Sequence, residues 1–188
     1  MKLKLKHLLA DLKEIPNLLS LFRLMLVIPF YFVLIRLHED NEYRVITIGL
    51  IFVAFITDIL DGYVARRNNM ITETGKIIDP LADKTLVIFI ITQLYLQNLI
   101  LSFYFWVIII RDLFIFFGGI IISAKIGKVL PSNIIGKLTV LTIGVFIIIT
   151  ILGLETNNIF YHIFFYLSII LSFLSVIIYL IRAIEAIR

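Results

Sequence analysis

The chain has 188 residues, of which 61% are hydrophobic and 16% are charged. A water-soluble domain of this length is nearer half apolar and a quarter charged, so the composition excludes a soluble globular protein and indicates an integral membrane protein. There is no cysteine, which excludes disulfides, thiolate catalysis and thiolate metal sites. The net charge is only +4, and in a membrane chain its placement is more informative than its size.

The first 15 residues predict an amphipathic helix that lies on the membrane surface. Four leucines between residues 5 and 12 recur at helical spacing, with lysines on the other faces. Asp11, Lys13 and Glu14 interrupt what would be the apolar core of a signal peptide, which argues against that alternative.

Residues 16–188 predict a bundle of six transmembrane helices, so that residues 1–188 form a single all-α membrane domain. Each apolar segment approaches or exceeds the roughly 20 residues that a helix needs to cross a bilayer. The predicted spans are Pro16–Leu37, Val45–Ala65, Pro80–Leu96, Leu101–Ala124, Ile134–Leu154 and Ile159–Ile181.

The charges of the connections predict the orientation in the membrane. The stretches HEDNEY, QNLI and ETNN carry no lysine or arginine, whereas the opposite set carries Lys76, Lys125 and Lys128 together with basic termini. Basic loops stay in the cytoplasm. Both termini of this multi-pass protein are therefore expected on the cytoplasmic side of the cell membrane.

The stretch DILDGYVAR ends the second apolar segment with two carboxylates. Successive helical side chains turn by about 100°, so Asp58 and Asp61 fall within one narrow arc. Gly62 and Ala65, which have almost no side chain, lie on the same arc. At about 1.5 Å per residue, Asp58 is roughly 12 Å from Arg66 at the expected cytoplasmic end, near the level of the lipid headgroups.

Two further acids open the third segment. Asp79 and Asp83 are four residues apart and share a face, and Gly75 would extend that face if the helix begins early. Pro80 favours a first turn, so the sequence leaves the start of this helix open. Four converging carboxylates favour a hard cation such as Mg²⁺ or Mn²⁺, and could hold two ions of the kind that assist phosphoryl transfer.

These residues resemble the signature of the CDP-alcohol phosphatidyltransferase family. The first-helix stretch IPNLLSLFR, together with GKIIDPLADK, PSNIIGKLT and the pair Arg111-Asp112, resembles the phosphatidylglycerophosphate synthase and cardiolipin synthase branches. The signature is matched at eight positions with fixed spacing, namely Asp58, Asp61, Gly62, Ala65, Arg66, Gly75, Asp79 and Asp83.

The resemblance implies a role for each matched residue. Asp83 is expected to bind metal and to act as the general base that takes the proton from the acceptor hydroxyl. The other expected metal ligands are Asp58, Asp61 and Asp79, and the residues expected to line the CDP pocket are Gly62, Ala65, Arg66 and Gly75.

The implied reaction is attack of an alcohol on the lipid-side phosphate of CDP-diacylglycerol, with release of CMP. The expected acceptor is glycerol-3-phosphate. The chain reads GKLTV where the glycerol-3-phosphate enzymes often carry GKxKTxxQ, so phosphatidylglycerol, the acceptor in cardiolipin synthesis, or another alcohol remains the alternative. The expected cofactor is Mg²⁺ or Mn²⁺, as two ions, and membrane lipids are expected partners. The resemblance also implies a homodimer, and no nucleic-acid partner is expected.

Basic residues of the second half are candidates for acceptor binding. Arg111 lies mid-helix, where an unpaired charge is costly. Because Arg111 and Asp112 are consecutive, they are predicted to point apart, so that Arg111 needs another partner: an acceptor phosphate, one of the four acids or a structural contact. Ser132 and Lys137 are candidates for the acceptor phosphate, although Lys137 could equally mark the membrane boundary.

Two other classes of protein fit these residues less well. Membrane prenyltransferases also bind Mg²⁺-pyrophosphate through paired acidic motifs, but those motifs lie much further apart than Asp61 and Asp79. An ion or proton transporter would distribute acids along a path through the membrane, whereas these acids gather at one face.

Overall fold

The computed structural model describes residues 14–67, 75–126, 133–154 and 158–187, without the side chains of residues 65, 66 and 75–80. Every regular element in these ranges is an α-helix. Most of the predicted surface helix over residues 1–15 lies outside the described residues. The helices are α1 (Ile15–Met25), α2 (Val27–Leu34), α3 (Asn41–Arg67), α4 (Gly75–Leu96), α5 (Ser102–Ile126), α6 (Ile134–Ile151) and α7 (Ile159–Ile187).

Five stretches of the described residues are long and apolar enough to cross a membrane, which confirms a multi-pass helical membrane protein. Helices α1 and α2 together form the first stretch, and α4 is not among the five. Four of the first ten residues of α4 are charged. The predicted count of six spans is therefore not confirmed. The five stretches are Ile15–Leu34, Asn41–Val64, Ser102–Ile126, Ile134–Ile151 and Ile159–Ile187.

The first predicted span is interrupted at Leu26, which ends α1 and precedes α2. Pro29 has no backbone N–H to donate to the carbonyl of Met25, and its ring crowds that carbonyl, so the helical ladder is broken there. The span also ends earlier than predicted, at Leu34 rather than Leu37. The sequence prediction of one continuous helix missed the effect of this proline.

Helix α4 begins at Gly75, five residues before the predicted start at Pro80. The prediction placed Pro80 in the first turn, where a proline is best tolerated. The helix instead includes this proline within its second turn. As a result Asp79 and Asp83 both stand on a formed helix, one turn apart.

The chain forms two compact units, Met1–Leu94 and Tyr95–Arg188. In the first unit, α1 and α2 both pack against α3. The buried face of α1 is polar and includes Asn17, Ser20 and Arg23, whereas large apolar residues such as Phe22 and Met25 are exposed. In a soluble protein the apolar face of a helix is buried and the polar face is exposed, and here the two are exchanged. Such a distribution suits a helix that faces lipid on one side and a polar site on the other.

In the second unit, α7 packs against both α5 and α6. Its core contains a cluster of aromatic rings, in which the ring centroids of Tyr104 and Phe146 are 4.4 Å apart. The Tyr104 hydroxyl hydrogen-bonds the Ser168 hydroxyl at 3.0 Å. Gly153 takes the left-handed conformation (φ 71°) that closes α6, and Leu154 N–H then donates to the Ile149 carbonyl.

Candidate active site

Three of the four signature carboxylates meet around one guanidinium group in the first unit. Arg23 extends from α1, and its Nη1 lies 3.2 Å from Asp58 Oδ1. The same nitrogen donates to Asp83 Oδ1, and Nη2 donates to Asp61 Oδ2. The structure thus brings three of the four acids of α3 and α4 together around one positive charge. The sequence predicts no arginine at this place.

The four side chains of this carboxylate cluster (Arg23, Asp58, Asp61 and Asp83) differ in burial. The Arg23 side chain is 2% exposed and that of Asp61 is 7% exposed, whereas those of Asp58 and Asp83 are 50% and 45% exposed. Ser20 Oγ also donates to Asp61 Oδ2, at 3.3 Å. The cluster thus has a buried floor, formed by Arg23 and Asp61, and an accessible rim, formed by Asp58 and Asp83.

The remaining signature residues are placed less completely. Gly62 follows Asp61 on α3 and is partly exposed. The side chains of Ala65, Arg66 and Asp79, and any contact made at Gly75, lie outside what the structure describes. Asp79 stands one helical turn before Asp83, so its backbone is on the same face of α4. The predicted CDP pocket remains a prediction.

In the second unit, Arg111 and Asp112 do not point apart. Arg111 Nη1 donates to Asp112 Oδ1 at 2.5 Å, and Arg111 Nε donates to Ser175 Oγ at 3.0 Å. Both charged residues are buried. The prediction from sequence was wrong because it considered only the directions of the Cα–Cβ bonds. The long arginine side chain bends back along its own helix, where burial favours pairing with the adjacent carboxylate.

Two of the predicted acceptor residues, Arg111 and Lys137, lie near the start of α6. Asn133 caps this helix, and its side-chain oxygen accepts a hydrogen bond from the Gly136 N–H. Lys137 is exposed in the first turn. Arg111 Nη2 lies 4.0 Å from the position that a Cβ atom would take on Gly136, so this end of the guanidinium faces the same turn. Ser132 lies outside the described residues.

A model of the CDP-alcohol phosphatidyltransferase family matches residues 13–179, most of the chain. The chain belongs to this family. Three of the proteins similar to this chain are named CDP-diacylglycerol–glycerol-3-phosphate 3-phosphatidyltransferase. The chain is 34% identical to the Aquifex aeolicus protein over 151 residues, 78% of either chain. It is 35% identical to the Wigglesworthia glossinidia brevipalpis protein over 178 residues, 88% of this chain and 92% of the relative. It is 32% identical to the Bacillus subtilis protein over 135 residues, 66% and 69% of the two chains.

CDP-alcohol phosphatidyltransferases generally use divalent metal ions. Within the described residues, which leave out the Asp79 side chain, no three His, Asp or Glu side chains are arranged to hold a metal ion. The donor set nevertheless fits a hard cation. It supplies carboxylate oxygens, these oxygens already converge on a positive charge, and two of the acids are accessible.

Arg23 and Ser20 belong to this site but are not among the residues that the sequence predicts for it. Arg23 ends the stretch IPNLLSLFR, which supports the family resemblance. A usable signal was present, since an arginine nine residues into an apolar span needs a partner. The four acids of the second and third predicted spans are the obvious candidates for that partner. Ser20, one turn before Arg23, then falls on the same face.

Proposed function

We propose that this phosphatidyltransferase moves the phosphatidyl group of CDP-diacylglycerol to glycerol-3-phosphate and releases CMP. The observation that carries this proposal is the convergence of Asp58, Asp61 and Asp83 from two helices of the family signature. The names of the relatives supply the donor and the acceptor. Phosphatidyl transfer needs concentrated negative charge to hold cations against a pyrophosphate, and this cluster provides it.

The proposed metal ligands are Asp58, Asp61, Asp79 and Asp83, holding Mg²⁺ or Mn²⁺ as a pair of ions. Bound there, such ions would neutralise phosphate charge and polarise the bond to the leaving group. Asp83 is the proposed general base. Its carboxylate is accessible from outside the cluster, as a base that accepts a proton from an incoming hydroxyl must be. The attacking oxygen would form its bond to the lipid-side phosphorus as the bond to the CMP oxygen breaks.

The proposed CDP-binding residues are the small or basic members of the signature on α3 and α4. Gly62 leaves room beside Asp61 for a bulky phosphate ester, and Arg66 would supply positive charge. Ala65 and Gly75 complete this set. Among the proposed acceptor residues, Lys137 is exposed and able to reach a phosphate. Arg111 is already paired with Asp112, so its proposed contribution is limited to its Nη2 edge.

We further propose six membrane crossings, with the active site and both termini on the cytoplasmic side of the cell membrane, in a homodimer. Loop charge supports the orientation. Cardiolipin synthesis from phosphatidylglycerol is the second candidate, because the tract Gly136–Lys137 is followed by uncharged residues. That tract has one lysine for a phosphorylated acceptor where a pair would be expected.

A panel of acceptors tests the proposed substrate. Purified protein in detergent micelles with CDP-diacylglycerol and Mg²⁺ is expected to release CMP when glycerol-3-phosphate is added, and the lipid product should be phosphatidylglycerophosphate by mass spectrometry. Glycerol, serine and inositol phosphate should release CMP at background rate. Cardiolipin formed from phosphatidylglycerol, with no reaction of glycerol-3-phosphate, would replace the first candidate with the second.

A further inference from the structure

The charges of the carboxylate cluster do not balance. Three carboxylates surround one guanidinium, so the described cluster carries a formal charge of −2. The fourth acid of the signature, Asp79, carries a further negative charge. A monovalent guanidinium therefore leaves a site that a divalent ion would neutralise more fully, and two divalent ions would match four carboxylates in charge.

The hydrogen bonding of Arg23 also indicates that the guanidinium satisfies this site incompletely. Its Nη1 and Nη2 contact the carboxylates, but its Nε is buried and has no hydrogen-bond partner among the described residues. A buried donor that lacks an acceptor is rare and costly in a native structure. The guanidinium is thus held by charge in a place where its hydrogen bonding is incomplete.

The difference in exposure within the cluster indicates the side from which an ion would enter. Arg23 lies on the closed side, with a side chain 2% exposed, whereas Asp58 and Asp83 are about half exposed. An ion would meet the two rim carboxylates first and the Arg23–Asp61 pair last. The ion and the guanidinium then compete for the same oxygens, since both positive charges cannot share them without strong repulsion.

We propose that Arg23 is the resident counter-ion of the carboxylate cluster. In the metal-free protein it holds Asp58, Asp61 and Asp83 together, and it competes with the divalent ion for them. This inference rests on the proposed role of the aspartates as metal ligands. Arg23 is a positioning residue in this account, because it acts on the ligands of the metal.

The test replaces Arg23 with methionine, which has a similar length and no charge, and uses two readouts other than activity. Thermal unfolding in detergent with EDTA measures how well the metal-free cluster is held. Titration with Mn²⁺, followed by the electron paramagnetic resonance signal of the free ion, measures metal binding. Arg23→Met should unfold at a lower temperature than wild type in EDTA, regain most of the difference in Mn²⁺, and bind Mn²⁺ about tenfold more tightly or better.

Two further variants keep the test decisive. Arg36→Met removes a positive charge from the same unit, at a side chain that contacts Tyr43 rather than the acids, and should match wild type in both readouts. Arg23→Lys keeps the charge but loses the planar fork that spans several carboxylates. It should fall between wild type and Arg23→Met, and it decides the question if the methionine variant does not fold.

The outcomes separate this inference from the proposed function. If wild type binds Mn²⁺, Asp58→Asn weakens that binding and the Arg23 variants bind like wild type or more weakly, Arg23 does not compete and the inference is wrong, while the proposed metal site stands. If wild type binds no Mn²⁺ that depends on Asp58, the metal assignment and the inference both fail.

Discussion

Replacing Asp83 with asparagine is expected to lower turnover by about 10²–10⁴-fold, the usual contribution of a general base. Asparagine keeps the size of the side chain and one oxygen for the metal, but it cannot take a proton from the acceptor hydroxyl. Binding of CDP-diacylglycerol should largely survive, because Asp58 and Asp61 remain. Steady-state CMP release, together with equilibrium binding of the nucleotide lipid, measures the two effects separately.

The same variant should not be rescued by excess Mg²⁺, since the missing function is proton transfer. In wild type, activity should rise with pH as the general base loses its proton, and this rise should be missing from the residual activity of Asp83→Asn. Near wild-type turnover in Asp83→Asn would move the base to another residue and remove the central step of the proposed mechanism.

Replacing Asp61 with asparagine is expected to weaken metal and CDP-diacylglycerol binding together and to reduce activity by about a hundredfold or more, since even outer-shell partners of a metal are worth 10–100-fold. It should also lower the free energy of unfolding by about 3 kcal/mol, because Asp61 is a buried partner of Arg23 and Ser20. Binding titrations at several Mg²⁺ concentrations and thermal unfolding in detergent measure these effects.

Asp58→Asn is the matched control. It removes the same charge from the same helix, but from a side chain that is half exposed. Its metal binding should weaken similarly and recover partly at high Mg²⁺, while its stability stays within about 1 kcal/mol of wild type. Equal loss of stability in the two variants would show that burial does not divide the cluster into a floor and a rim.

Much of the fold was predictable, because a membrane chain must form long apolar helices whose periodic pattern is readable in sequence. The convergence of Asp58, Asp61 and Asp83 followed from helical spacing and family resemblance. The break at Leu26 was not predicted, since the effect of Pro29 on the preceding turn was overlooked. The sequence does not decide whether α4 begins at Gly75 or at Pro80, because a proline within the second turn is tolerated only when the surrounding structure supports it.

The two arginines show where sequence reasoning stopped. Arg111 was expected to avoid Asp112, yet its flexible side chain pairs with that neighbour and with Ser175. Arg23 was assigned no role, although it contacts three of the proposed metal ligands. Pairing between side chains 35 or 60 residues apart depends on how the helices pack, and periodicity within one helix does not contain that information.

Metal add-back to the chelated protein tests the central claim most directly. Protein purified in detergent, treated with EDTA and supplied with CDP-diacylglycerol and glycerol-3-phosphate should release no CMP above background. Added Mg²⁺ or Mn²⁺ should restore CMP release, whereas Ca²⁺, with its larger and looser coordination shell, should restore little. Full activity in the chelator would contradict the account, because the carboxylates of α3 and α4 would then have no cation to hold.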